Sequence, residues 1–107
     1  MKRYRLTIFL PVVPEYRRFL AFRELIANAA SWLFGGCTIV DHLEGRYRSR
    51  QKEIVKDTIC IIFTDTFPMT SKQKNQLKSI VRHIADRIAQ SLNQETVYIT
   101  LTPVEIC

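Results

Sequence analysis

IVKDTICIIFTD, Ile54–Asp65, is the stretch on which the fold turns. Its heart, Thr58–Thr64 (TICIIFT), is an almost continuous β-branched run. Such side chains are stiff at χ1 and pack well on a pleated surface. A run that is apolar at successive positions suits a strand covered on both faces, so this segment is expected at the centre of a sheet.

Downstream, Thr66–Ser71 contains Pro68 and reads as a turn. Thr70 followed by Gln73 matches a capping box, in which two side chains satisfy orphan N–H groups at a helix start. The helix runs from Ser71 to about Leu92, with Leu77, Ile80, Val81, Ile84, Ile88 and Leu92 on one face. Glu95–Thr102 (ETVYITLT) then alternates, with Val97, Ile99 and Leu101 inward. Upstream, Tyr4–Leu10 alternates in the same way, and Pro11 and Pro14 end it because neither can donate to a ladder. Glu15–Phe34 reads as a helix with Phe19, Phe22, Ile26, Ala29 and Leu33 on its apolar face. Gly35-Gly36 is its stop, since the residue after the last turn often needs positive φ. Cys37 to about Tyr47 is a strand, followed by a polar hairpin arm over Arg46–Lys52.

The order is β-α-β-β-α-β. Two long helices and four strands match the split βαβ, ferredoxin-like plan, an α+β fold with both helices on one face of a four-stranded antiparallel sheet. The 107 residues leave room for one domain spanning 1–107. Only three glycines and four prolines argue against a disordered chain. The longest uncharged stretch, Leu25–Val40, is 16 residues and is broken by Gly35-Gly36, too short to cross a bilayer. Arg5 interrupts the apolar run after the N-terminus, so no cleavable signal and no membrane partner are expected.

Sixteen Lys and Arg against ten Asp and Glu give a net charge of +6. Residues 1–56 hold eleven of the basic and five of the acidic side chains. That balance favours an anionic partner over a cationic one. Cys37, Cys60 and Cys107 form no C-x-x-C pair, so no metal site or cofactor is expected and a reducing cytoplasm fits them.

With helices on one side, the other sheet face must meet water, a ligand or another chain. Placing Leu6, Ile8, Ile59, Ile61 and Phe63 toward the helices leaves Phe9, Cys60, Ile62 and Tyr98 on the open face. Phe9, Ile62 and Tyr98 are the interface candidates, and a homo-oligomer, a dimer first, is the expected use of so apolar a face. From the second strand this face takes either Val40, His42 and Glu44 or the alternate set.

Arg46, Arg48, Arg50 and Lys52 stand at every second position. In an extended arm they would line one side, a geometry that tracks a phosphate backbone, or that shields a sheet edge from pairing. Sequence-tolerant RNA or DNA binding is therefore the second reading. Base-specific RNA recognition is not expected, because Lys56–Phe63 (KDTICIIF) lacks the glycines of the RNP1 octapeptide. Asp41, His42 and Glu44 are the one acid/base cluster. Neighbours on a strand point to opposite faces, so only Glu44 would share a side with His42. A small enzyme with a site at a dimer interface is the third reading. No catalytic residue is assigned, and the substrate or ligand class is not specified by any motif.

Gly35-Gly36-Cys37-Thr38, then Gly45-Arg46-Tyr47, then Glu53 ahead of an apolar strand resembles small bacterial ferredoxin-like proteins that carry a Gly-Gly-x-Thr turn, a Gly-x-aromatic and a glutamate. The resemblance spans residues 4 to 65, with Tyr47 where tryptophan is expected. It implies the fold and no activity. As a site it points to Thr38, Tyr47 and Glu53, beside His42 and Glu44.

Overall fold

Alternating apolar residues, together with helix start and stop signals, produce six elements in a computed structural model that describes Met1–Cys107. They are β1 (Arg3–Pro11), α1 (Tyr16–Phe34), β2 (Thr38–Arg48), β3 (Ile54–Asp65), α2 (Ser71–Ser91) and β4 (Tyr98–Val104). The sheet order is β2-β3-β1-β4, every pair antiparallel. The ferredoxin-like α+β fold expected from the sequence is the fold observed.

The local signals act as read. Gly35 caps α1 at φ +89°, and its N–H donates to the Ser31 carbonyl at 3.0 Å. No added Cβ would meet an atom within 4 Å there, so the need for glycine is conformational rather than steric. Thr70 and Gln73 form the reciprocal capping box of α2. β4 begins at Tyr98, three residues later than the alternation suggested, although Val97 is already buried.

One core joins the helices to the sheet: Ile8 and Leu10 of β1, Cys60 and Ile62 of β3, Phe19 of α1, Ile88 and Ala89 of α2, with Leu92 and Val97. This corrects the phase of β3. Ile62 is 1% exposed and opposite Ile8, so it belongs to the core and not to the open face. Cys60 and Thr64 join it on the helix side, while Ile59, Ile61 and Phe63 lie on the open side. The cause is the composition of the run: isoleucine at 59, 61 and 62 makes both phases equally apolar, and alternation then carries no direction.

The helix faces need a similar correction. Ala29 and Leu33 of α1 and Ile80 and Ile84 of α2, expected inside, are exposed. The residues buried from α1 are Phe19, Ala27 and Ala30, a face rotated toward β2.

Candidate functional site

β2 departs from regular pairing in its middle. Val40 is opposite Ile61 and Leu43 opposite Ile59, so Asp41 and His42 together face one residue of β3. This is a β-bulge, with His42 at φ 57°. The bulge resets alternation along the strand. Before it Thr38 and Val40 lie on the open side; after it Gly45 and Tyr47 do, opposite Asp57 and Val55. Neither register anticipated for β2 holds along its whole length.

Beyond the bulge the β2–β3 hairpin overhangs the end of β1. Its tip comes near the segment before β4, where Arg50 Nε lies 3.9 Å from a Glu95 carboxylate oxygen. The hairpin, β1 and β4 enclose a cleft of about 540 Å³ on the open face. Phe9, Tyr47, Ile59 and Tyr98 supply its apolar wall, Thr100 and Gly45 its small positions, and Asp57 and Glu95 its acids. An added Cβ at Gly45 would meet Ile59 at 3.7 Å, ordinary contact, so this glycine leaves room without being sterically required.

Around the cleft the open face is an apolar band running from Val40 through Ile61 to Phe9 and Tyr98, with Phe63 beside it. One end is closed by a paired Arg5 and Asp65, whose Nε–Oδ1 and Nη2–Oδ2 distances are 2.8 and 3.0 Å. The Arg5 guanidinium also sits 4.8 Å from the Phe63 ring centroid. The guanidinium holds the Asp65 carboxyl below the usual carboxylate range.

The residues singled out in the sequence divide as follows. Phe9 and Tyr98 are on the open face and line the cleft, whereas Ile62 is not there. Arg46 and Arg48 are in β2, opposite Lys56 and Ile54, while Arg50 and Lys52 belong to the turn, with Lys52 at φ 63°. The four cations therefore do not form one straight row. Arg46 also lies 3.0 Å from Glu44.

Glu44 therefore pairs with Arg46 rather than orienting His42. Asp41 is held by Arg23 of α1, through contacts of 3.1 and 2.7 Å. The acid/base cluster is dispersed. Thr38, Tyr47 and Glu53 are no closer to forming a unit. Thr38 and Tyr47 stand on the same strand about 30 Å apart at roughly 3.3 Å per residue. Glu53 closes the hairpin turn, its carbonyl accepting from the Ser49 N–H at 2.8 Å. No three His, Cys, Asp or Glu side chains gather within one chain as a metal site would require.

Sequence reasoning missed Ile59, Ile61 and Phe63 on this face, and the cleft itself. No local signal marks these three, because both phases of Ile59–Phe63 are apolar, and the cleft depends on the bulge of β2 and on the approach of the hairpin tip to Glu95. Buried Cys60 sits against Asp41; burial first, and the carboxylate second, push its thiol up to about 11. It is a packing residue, not a nucleophile.

The class defined by this topology and this uncovered face is a ferredoxin-like α+β protein. Solved structures share this fold. The chain is similar to the divalent cation tolerance protein (Cut A1) from Thermus thermophilus, with TM-score 0.60 and 20% identity over 98% of this chain and 86% of that one. It is also similar to CutA1 from Oryza sativa (TM-score 0.62, 12% identity, 100% and 84% covered). A third is the divalent ion tolerance protein CutA1 from Ehrlichia chaffeensis (TM-score 0.56, 18% identity, 100% and 86% covered). At these identities the likeness is one of fold. No protein-family model and no curated protein matches the chain in sequence.

Proposed function

We propose that this protein is a non-catalytic, cytoplasmic binding module that self-associates through the open face of its sheet. The observation that carries this reading is the band of Val40, Ile61, Phe9 and Tyr98 on the side that no helix covers. Covering apolar surface of that kind is favourable at about 25 cal/mol per Å², and two-fold pairing of identical faces is the commonest way to do it. A dimer is the first expectation. The cleft under the hairpin borders this band, so a neighbouring copy would complete its open side and set what it admits.

Light scattering of the purified chain at low and high salt tests the proposal. A dimer or larger species whose mass does not change with salt is the expected result, because an apolar contact is not screened. Ile61→Asp and Tyr98→Asp should each give a folded monomer, with unchanged far-ultraviolet circular dichroism. A monomer at every concentration and salt would overturn the proposal.

A further inference from the structure

The side chains of β3 that build the core continue out into solvent. Cys60, Ile62 and Thr64 are buried against the helices, and Thr58, Lys56 and Ile54 precede them in the same phase at two-residue steps. These three are exposed, Ile54 at 70%. The helix cover therefore ends at Cys60, and the hairpin beyond it is a two-stranded ribbon that is bare on the helix side. From β2 this side takes Glu44, Arg46 and Arg48, opposite Thr58, Lys56 and Ile54 and likewise exposed. Gly45, Tyr47 and Asp57 lie on the other side, with the cleft.

From Arg46 to Lys56 the chain holds five cations, Arg46, Arg48, Arg50, Lys52 and Lys56, against one carboxylate, Glu53. Local preference opposes some of these placements. Arg46 is directly opposite Lys56, and like charges in that relation destabilise a β pair. Lys52 holds φ 63° in the turn, a left-handed conformation that glycine adopts more freely. Little offsets the charge. Glu44 lies 3.0 Å from Arg46 and Glu95 3.9 Å from Arg50, while Arg48, Lys52 and Lys56 make no ion pair within 4.0 Å.

The chemistry of the patch selects its partner. It has one apolar side chain, Ile54, and no aromatic ring. It thus lacks the anchors that carry protein–protein affinity, and the apolar face that enters a bilayer. A second copy would set the same cations against it. Surfaces rich in arginine and poor in apolar groups suit phosphate backbones. The face is also short. Glu44 to Arg48 spans about 13 Å at roughly 3.3 Å per residue, less than half of the ~34 Å turn of a duplex. A flexible single strand can fold its phosphates onto so compact a cluster, whereas a duplex is too stiff to do so.

We infer that the helix-side face of the β2–β3 hairpin binds the phosphate backbone of single-stranded nucleic acid without regard to sequence, through Arg46, Arg48 and Lys56, with Arg50 and Lys52 at the turn. This goes beyond self-association and does not rest on it, because the patch and the apolar band lie on opposite sides of the sheet.

The probe is an end-labelled oligothymidylate of about 12 nucleotides, followed by fluorescence anisotropy. Saturable binding is expected, with affinity falling as NaCl rises at a log–log slope of about −3, four to five contacts at about −0.7 each. Arg48→Ala with Lys56→Ala removes two exposed, unpaired cations. It should weaken binding about tenfold or more and flatten the slope by about 1.4, leaving circular dichroism and mass unchanged. Lys78→Ala with Arg82→Ala takes the same charge from α2 and should change affinity less than about twofold at about 0.1 M NaCl. An equal loss in the α2 variant would overturn the proposal. So would tighter binding of a duplex of the same length, of polyglutamate or of phosphatidylserine-containing vesicles. A preference above about tenfold between oligothymidylate and oligoadenylate would overturn the sequence tolerance. Absence of binding would overturn the whole inference and leave the cations as guards of an exposed strand edge. The mass by light scattering is read separately, so failure here leaves the self-association result unaffected.

Discussion

Arg23 in the middle of α1 grips Asp41 in the bulge of β2 with two parallel contacts, Nε–Oδ1 at 3.1 Å and Nη2–Oδ2 at 2.7 Å. The pair ties the irregular point of the edge strand to the helix above it. Since the hairpin beyond the bulge forms one wall of the cleft, this contact also steadies the candidate site.

Asp41→Ala is expected to cost about 1 kcal/mol, the upper range for a partly exposed ion pair after solvent screening, raised by its bidentate geometry. Urea denaturation would show the loss. Hydrogen exchange should quicken more in Gly45–Asp57 than in β1, because the hairpin loses its brace. Equal protection throughout would mean that the bulge holds its shape without Arg23.

Ile61 and Ile62 are neighbours with opposite fates. Ile62→Ala removes a side chain from the core and should cost about 2–4 kcal/mol, the transfer term plus a cavity. Ile61→Ala should cost under about 1 kcal/mol in the monomer while weakening self-association. Denaturation curves of the two variants, taken at low protein concentration, distinguish the phases of β3; a reversed order would place the strand the other way round.

Acid should find both carboxylate clamps. Arg23, and next Cys60, hold Asp41 below the ordinary carboxylate range, and Arg5 does the same for Asp65. Their folded values lie under their unfolded ones. The stabilisation is therefore fully present above about pH 4–5 and is lost as pH falls through the depressed folded values. In the Asp41→Asn, Asp65→Asn double variant the melting temperature should fall less steeply between about pH 5 and 2.

The three thiols should separate by reactivity. Cys107 is exposed, Cys37 is half-buried and Cys60 is buried with its thiol pushed up to about 11. At about pH 8 a disulfide reagent should modify Cys107 first and leave Cys60 untouched until the chain unfolds. Because the folded value of Cys60 is raised, its contribution is intact below about pH 9 and falls as pH rises toward 11. Rapid labelling of Cys60 in the native protein would contradict its place in the core.

Gly35→Ala is expected to cost about 1 kcal/mol, because alanine must adopt a left-handed conformation at the end of α1. Gly36 has no positive φ, and an added Cβ there meets nothing within 4 Å. Gly36→Ala serves as the control and should be near neutral in thermal melts.

The element order was legible in the residues, and for stated reasons. Thr70 and Gln73 announce α2 through capping chemistry, Gly35 ends α1 because only glycine takes φ +89° freely, and Leu6/Ile8 and Ile99/Leu101 report their faces because polar residues alternate with them. The candidate site is legible only in part: Phe9 and Tyr98 are on the open face as alternation indicates, whereas Ile62, expected beside them, is in the core and Ile61, expected in the core, is on the open face. Tyr47 reaches the cleft only because the bulge at Asp41-His42 shifts the second half of β2 by one residue.

Alternation tells direction only where one phase is polar. Along Ile59–Phe63 both phases are apolar, so the local chain is content with either face, and packing against Phe19 and Ile88 decides. The same holds for the helices. Helical spacing places Leu33 and Ile80 on apolar stripes, but whether a stripe is covered depends on the separation of two helices that are distant in sequence. Strands, helices and the helix ends follow from the residues alone because their signals are local; packing between elements distant in the chain sets which apolar residues meet and which face out.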